Sequence, residues 1–290
     1  MGYLEYRFSS EILECEACVC VTIPSLHNLW ELYQTAGQDG SAALAAGGAF
    51  RNDLDSLYPM GYKFPTVYLM HGGGEDCTSW VRNTKAELYA QEKGCMTVSV
   101  DLFKSFGCNM YRGYRYFDFL TQEVMRMVQH TFPSSPRRED NFIVGFSMGA
   151  HVAMKAALSC PEKFAAVMSM SGAKDIVKMM RLARDILGSD GVHEYCDVGP
   201  LDEAYGGPND LLHLASELAK SDRPRPKIFH SCGEDDYGLA LCREFHEYLD
   251  GVGLENTFIT VPGVHDPYYT DSMLRCTLFE LFDIGRGGVQ

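Results

Sequence analysis

Serine 147, at the corner of Gly145-Phe146-Ser147-Met148-Gly149, is a candidate nucleophile. A serine hydroxyl attacks poorly at neutral pH. It needs an imidazole to take its proton and a carboxylate to fix that imidazole's tautomer and stabilise its cation. Both partners should lie on loops that follow later strands. His265 and Asp236 occupy such places in the chain order Ser, Asp, His, with room between them for one helix and one strand. Glu234 and Asp235 compete for the acid's role. The turn begun by Gly233 should bring the later residue back over the strand end, which favours Asp236 and then Asp235. His151 falls inside a helix, His230 within a strand, and His130, His213 and His246 on helical stretches, where core or surface roles suit them.

These side chains can meet only if the backbone brings them together. The apolar run Asn141-Phe142-Ile143-Val144 reads as a strand, and Ala150 to Leu158 as a helix, so Ser147 sits where one turns into the other. Such a corner is strained, and the residues two before and two after it must be small, as Gly145 and Gly149 are. It also sets the hydroxyl beside a helix N-terminus, where free N–H groups favour an anionic intermediate. A second strand, Pro65 to Met70, runs into His71-Gly72-Gly73-Gly74, whose glycines can present N–H groups without side-chain obstruction and supply the other half of an oxyanion hole.

Strand and helix alternate along the chain, which calls for a parallel sheet. A hairpin is expected from about Phe8 to Pro24, strands at Met96–Val100, Phe164–Ser171, Lys227–Cys232 and Thr257–Val261, and helices near Lys85–Glu92, up to Thr131, at Leu239–Leu249 and at Thr270–Asp283. The fold class is therefore α/β with a mostly parallel central sheet flanked by helices, over residues 1–290 as one domain. Two stretches break the pattern. Residues 25–63 read as a surface insertion, with a helical turn at Leu29–Tyr33, and 173–225 as a small cap.

With 290 residues, 46% of them hydrophobic, the chain can bury a large core, and its net charge of −14 disfavours nucleic acid and anionic membrane surfaces as partners. No signal peptide or membrane span is visible, so a cytoplasmic location is expected. Among the 11 cysteines, Cys15-Glu16-Ala17-Cys18-Val19-Cys20 comes nearest to a metal spacing. As a strand it would put Cys18 and Cys20 on one face and Cys15 on the other, so reduced buried thiols are expected and no metal site.

His71-Gly72-Gly73-Gly74 with Ser79-Trp80, the serine corner, Cys232-Gly233-Glu234-Asp235-Asp236 and His265-Asp266 together resemble the esterase D / tributyrin esterase-like α/β-hydrolases. That group includes S-formylglutathione hydrolases, acetyl and feruloyl esterases and short-chain acyl esterases. Phe8-Ser9-Ser10-Glu11, Val21-Thr22-Ile23-Pro24, and Tyr116-Phe117-Asp118-Phe119-Leu120 with Glu123 extend the likeness over most of the chain. The resemblance implies Ser147 as nucleophile, Asp236 as acid, His265 as base, the N–H groups of Gly73 and Met148 as oxyanion hole, and no cofactor. Where many relatives carry a tryptophan shortly after His-Asp, this chain has Pro267-Tyr268-Tyr269.

The expected chemistry is hydrolysis of a small-molecule ester through an acyl-enzyme, the acyl group being short or hydroxycinnamoyl and the alcohol a sugar or other small alcohol. Trp80, Tyr114, Tyr237 and Tyr268, with Tyr269, are the candidate pocket rings. Acyl transfer or thioester hydrolysis by the same residues, or a hydrolase fold that only binds, are the competing expectations. Oligomeric state is left open, a homo-oligomer among the options.

Overall fold

The computed structural model describes residues 1–26, 54–172, 174–179, 181, 197–200 and 203–289. Most of the expected insertion, including the helical turn at 29–33, and much of the expected cap lie outside the described residues.

Eight strands form one sheet in the order β1-β2-β5-β4-β6-β7-β8-β9. These are β1 (Gly2–Ser10), β2 (Cys15–Ile23), β4 (Thr66–Met70), β5 (Met96–Val100), β6 (Asn141–Phe146), β7 (Ala166–Met170), β8 (Lys227–Gly233) and β9 (Asn256–Val261). The short β3 (Tyr62–Lys63) and β10 (Gly288–Val289) pair separately. The hairpin β1/β2 and the β2/β5 pair are antiparallel, and every pair from β5 to β9 is parallel. The hairpin begins at Gly2, earlier than the expected Phe8, because Tyr3, Tyr6 and Phe8 extend an edge strand on which polar residues remain exposed.

The parallel strands read as continuous apolar runs because both of their faces are covered. Along β4, Val67 and Leu69 point into one core with Phe142, Val144, Met168, Trp80 and Leu274, while Tyr68 and Met70 point into the other with Val98, Ile143, Val152 and Phe119. Each such side chain contributes about 1.5–3 kcal/mol on burial. The helix Met148–Ser159 is buried from Met148 to Leu158, and its alanines let it lie close against the sheet.

One topological fact places the site. From β4 the chain passes to β5 on one side and then to β6 on the other, so the connections leaving β4 and β6 diverge and open a crevice at their carboxyl ends. Met70 pairs with Gly145 in that register, which sets His71-Gly72-Gly73 beside Phe146-Ser147.

Two sequence stretches far apart also meet. The Glu123 carboxylate accepts from Ser10 Oγ at 2.5 Å, from the Glu11 N–H at 2.7 Å and from the Ile12 N–H at 3.2 Å, closing the turn of the hairpin onto the helical segment that leads to Thr131. That segment is continuous with a π-helical stretch at Phe119–Val124.

Candidate functional site

Ser147 has φ 55° and ψ −116°, a conformation that L-residues rarely adopt and that costs about 1–3 kcal/mol. The surroundings enforce it. Its N–H donates to Met170 O at 3.0 Å and its carbonyl accepts from the Ala150 N–H at 3.1 Å. A Cβ on Gly145 would lie 2.0 Å from Gly149 O, and one on Gly149 would lie 2.1 Å from Met70 O. The glycine spacing thus records backbone crossing backbone, and neither position can carry a side chain without moving the corner.

The imidazole and the carboxylate arrive from the other end of the sheet. His265 Nδ1 lies 2.9 Å from Asp236 Oδ2, and Asp236 Oδ1 accepts from the Gly238 N–H at 2.7 Å. The loops carrying them are bonded to each other, the Asp235 N–H donating to Gly263 O at 3.1 Å, and a Cβ on Gly233 would lie 2.4 Å from that same carbonyl. Asp235 therefore serves the loop with its backbone, and Asp236 is the carboxylate that meets the histidine. Burial pushes the Asp236 carboxyl up, but the hydrogen bonds from His265, Gly238 and Ser171 outweigh it and hold the group below its ordinary range.

His265 is clamped between two rings. Phe146, the residue before Ser147, lies 4.6 Å from it between centroids, and Tyr237, the residue after Asp236, 4.9 Å. The histidine is thereby held next to the serine corner by one neighbour and next to its acid by the other.

The glycine segment after β4 is held by two side chains. His71 is fully buried; its Nε2 accepts from the Leu102 N–H at 3.0 Å, so Nδ1 carries the proton and donates to Gly72 O at 2.8 Å. Gly72 O also accepts from the Glu75 N–H at 3.3 Å, and the Gly72 N–H donates to Glu75 Oε2 at 2.8 Å. In a trans peptide the carbonyl and the following N–H point opposite ways, so the Gly73 N–H is aimed away from His71. A Cβ on Gly73 would come within 3.9 Å of the Met148 Cβ, which places the two expected donors side by side. Among the described residues neither N–H donates to a backbone carbonyl.

The expected pocket rings separate. Tyr237 lies against His265 at a tilt of 40° with 81% of its surface exposed. Trp80 is buried in the core and, with Phe146, Glu75 and Pro267, lines a narrow cleft of about 20 Å³, room for a water. Tyr114 packs edge-on against Tyr116, Tyr268 is 86% exposed, and Tyr269 is a core residue whose hydroxyl meets Ser231 Oγ at 2.7 Å. His71, Glu75, Phe146 and Ser171 were not singled out from the sequence. Ser171, at the end of β7 with φ 47°, carries the one usable signal, a polar residue at a strand's carboxyl end next to the acid's strand.

A parallel sheet with a strained serine corner, a histidine bonded to an acid and a glycine-rich segment at its switch point defines an α/β-hydrolase. The Esterase family model matches residues 48–251, and the chain belongs to that family as a serine ester hydrolase. It is 26% identical over 226 residues to an acetyl esterase of Caldicellulosiruptor saccharolyticus, covering 75% of this chain and 81% of that one. Among solved structures it is similar to FphF, a fluorophosphonate-binding serine hydrolase of Staphylococcus aureus with substrate bound, at 25% identity, TM-score 0.78 and 96% coverage of both chains. It is also similar to the S-formylglutathione hydrolase FrmB of the same organism, at 25% identity and TM-score 0.75, covering 96% of this chain and 97% of that one. No helix among the described residues is long and apolar enough to cross a membrane.

Proposed function

We propose that Ser147 is the nucleophile of this esterase, His265 its general base, Asp236 the acid that orients His265, and the N–H groups of Gly73 and Met148 its oxyanion donors, acting on acetyl and other short acyl esters of sugars or small alcohols. The 2.9 Å hydrogen bond between His265 Nδ1 and Asp236 Oδ2 carries the reading, because it leaves Nε2 as the nitrogen that can accept the serine proton. In the first step Ser147 Oγ attacks the ester carbonyl while His265 takes its proton. The carbonyl oxygen becomes an oxyanion between Gly73 and Met148, and His265 returns the proton to the departing alcohol. Water then repeats the sequence and releases the acid. Removing one oxyanion donor costs about a hundred- to a thousand-fold.

The acetyl esterase relative supports a short acyl group. The likeness to FrmB favours a second reading, hydrolysis of a small thioester by the same residues. The 10 described cysteines are free thiols, which supports a cytoplasmic location. The test is kcat/KM for p-nitrophenyl esters from acetate upward, methyl ferulate and S-formylglutathione, on wild type and Ser147→Ala. Acetate should lead and folded Ser147→Ala should be inactive on all. A ten-fold preference for the thioester would install the second reading, and activity surviving in Ser147→Ala would end both.

A further inference from the structure

The helix Met148–Ser159 carries one lysine, Lys155, which is 2% exposed among alanines. An ammonium so placed is costly unless protein groups meet its N–H donors. Lys155 Nζ donates to Gly107 O at 2.8 Å and to Asn209 Oδ1 at 2.7 Å, and it stands 4.4 Å from the centre of the Phe117 ring. One side chain thus pins a point 48 positions earlier and another 54 positions later onto the helix that begins at Met148.

Both points belong to segments that pack against the start of that helix. Gly107 lies in the loop after β5, and a Cβ on it would come 2.7 Å from Val152 Cγ1, so the loop rests on the helix face that Val152 and Lys155 share. Phe106 and Gly107 have φ of 50° and 58°, and a bulky residue holds such a conformation only where its surroundings impose it. Phe106 is edge-on to His151 with ring centroids 5.9 Å apart, and with Cys108 it joins Met148, Ile176, Val177 and Ala204 in one buried apolar cluster.

Asn209 stands near the end of the long connection from β7 to β8, next to Asp210, whose carboxylate caps the helix Leu211–Lys220. The start of that connection is tied to the same helix. Lys174, also 2% exposed, donates to Ser169 Oγ, which in turn donates to Ala150 O at 2.9 Å. Two buried lysines therefore fix both feet of the connection against the helix, and Ile176, Val177 and Ala204, which lie along it, meet Met148 in the cluster.

We propose that Lys155 is a positioning residue for the hydrolysis: its two hydrogen bonds hold Phe106 and Ala204 against Met148 and so keep the Met148 N–H aimed at the oxyanion. Lys155 lies about two helical turns from Ser147 and acts only through the segments it holds. Without its amino group, Gly107 O and Asn209 Oδ1 lose a donor, both segments loosen, and the first turn of the helix shifts with the cluster. Displacements of about 1 Å in such groups cost up to about a hundred-fold. The inference rests on Met148 as an oxyanion donor.

The experiment measures kcat and KM for p-nitrophenyl acetate per Ser147 that a fluorophosphonate labels to completion, together with inhibition by a methyl trifluoromethyl ketone, whose adduct with a serine carries an oxyanion. Lys155→Met should lower kcat about ten- to a hundred-fold with KM within about three-fold, and should weaken the ketone by the factor that kcat loses. Asn209→Ala, which removes one acceptor, should show the same split at about three-fold, and Asn209→Asp, which keeps an acceptor for Nζ, should stay near wild type. An unchanged kcat per labelled site in both Lys155→Met and Asn209→Ala overturns the proposal, since a lysine that only stabilises the fold would reduce the labelled fraction and not the rate of each site. So does a loss confined to KM, or a lowered kcat with ketone binding intact. Should Lys155→Met not fold, Asn209→Ala against Asn209→Asp decides. Wild type that no fluorophosphonate labels at Ser147 would instead end the reading of Ser147 as nucleophile, and this inference with it.

Discussion

Among the described residues two histidine–aspartate pairs stand at the carboxyl ends of strands, and they are built in opposite ways. His265 keeps 20% of its side chain exposed while the Asp236 side chain is fully buried, and the two lie 2.9 Å apart. His71 is fully buried while 42% of the Asp101 side chain is exposed, at 3.7 Å. Both ring nitrogens of His71 are occupied by backbone, one accepting from Leu102 and the other donating to Gly72. His265 has Nδ1 held and, among the described residues, no hydrogen-bond partner on Nε2 competes with a serine proton. Residue types alone therefore do not make a base. A nitrogen left unoccupied beside the proposed nucleophile is what the proposed base has, and a histidine with neither left becomes a rivet for the segment that carries the proposed oxyanion donor.

The largest effects should fall on the first pair. Ser147→Ala and His265→Ala should each lower kcat for p-nitrophenyl acetate by about 10⁴-fold or more, and the double variant should be little worse than either, because the two act as a unit. Additive losses would break the comparison. Asp236→Asn should cost about 10³–10⁴-fold by favouring the wrong tautomer of His265, while Asp235→Asn, whose backbone alone is used, should stay within about three-fold. Equal losses at 235 and 236 would contradict the hydrogen bond seen.

How far these pairs could be read in the sequence differs for a physical reason. The serine corner was legible because two backbone crossings admit only glycine, and steric exclusion leaves a fixed spacing. Asp236 and His265 were legible from chain order, since strands β8 and β9 are adjacent and parallel and their loops must meet. His71 was passed over as the first residue of a glycine run, because its role lies in accepting from Leu102, 31 positions away on the next strand's loop. The aromatic residues fared worst. Trp80, Tyr114, Tyr237, Tyr268 and Tyr269 share a residue class but range from buried core to 86% exposed, and only tertiary packing sorts them.

A smaller effect belongs to the rivet. His71→Ala leaves the Leu102 N–H buried without its acceptor and frees Gly72 O, which should lower stability by about 1–3 kcal/mol. It should lower kcat by about ten- to a hundred-fold through a displaced Gly73 N–H, with KM within about three-fold, since the donor acts most on the oxyanion. Thermal melting and steady-state kinetics on one preparation separate the two. A loss in kcat matching that of His265→Ala would erase the distinction between the histidines.

The smallest effect should come from Asp101, the exposed member of the second pair. Burial pushes its carboxyl up, but the neighbouring His71 and the hydrogen bond from the Phe103 N–H outweigh it, so the group titrates below its ordinary range in the folded chain. A carboxyl lowered on folding stabilises above its unfolded value, about 3.9, and loses that contribution as pH falls through the folded value. With its side chain 42% exposed and the pair 3.7 Å apart, solvent screening reduces the contribution at neutral pH to about 1 kcal/mol or less. Asp101→Asn should therefore lower the midpoint of urea unfolding slightly at pH 7, lose that deficit in acid, and leave kcat within about three-fold. A drop in kcat comparable to that of Asp236→Asn would mean that the second pair orients a working imidazole after all, and that occupation of both ring nitrogens by backbone is no bar to proton transfer.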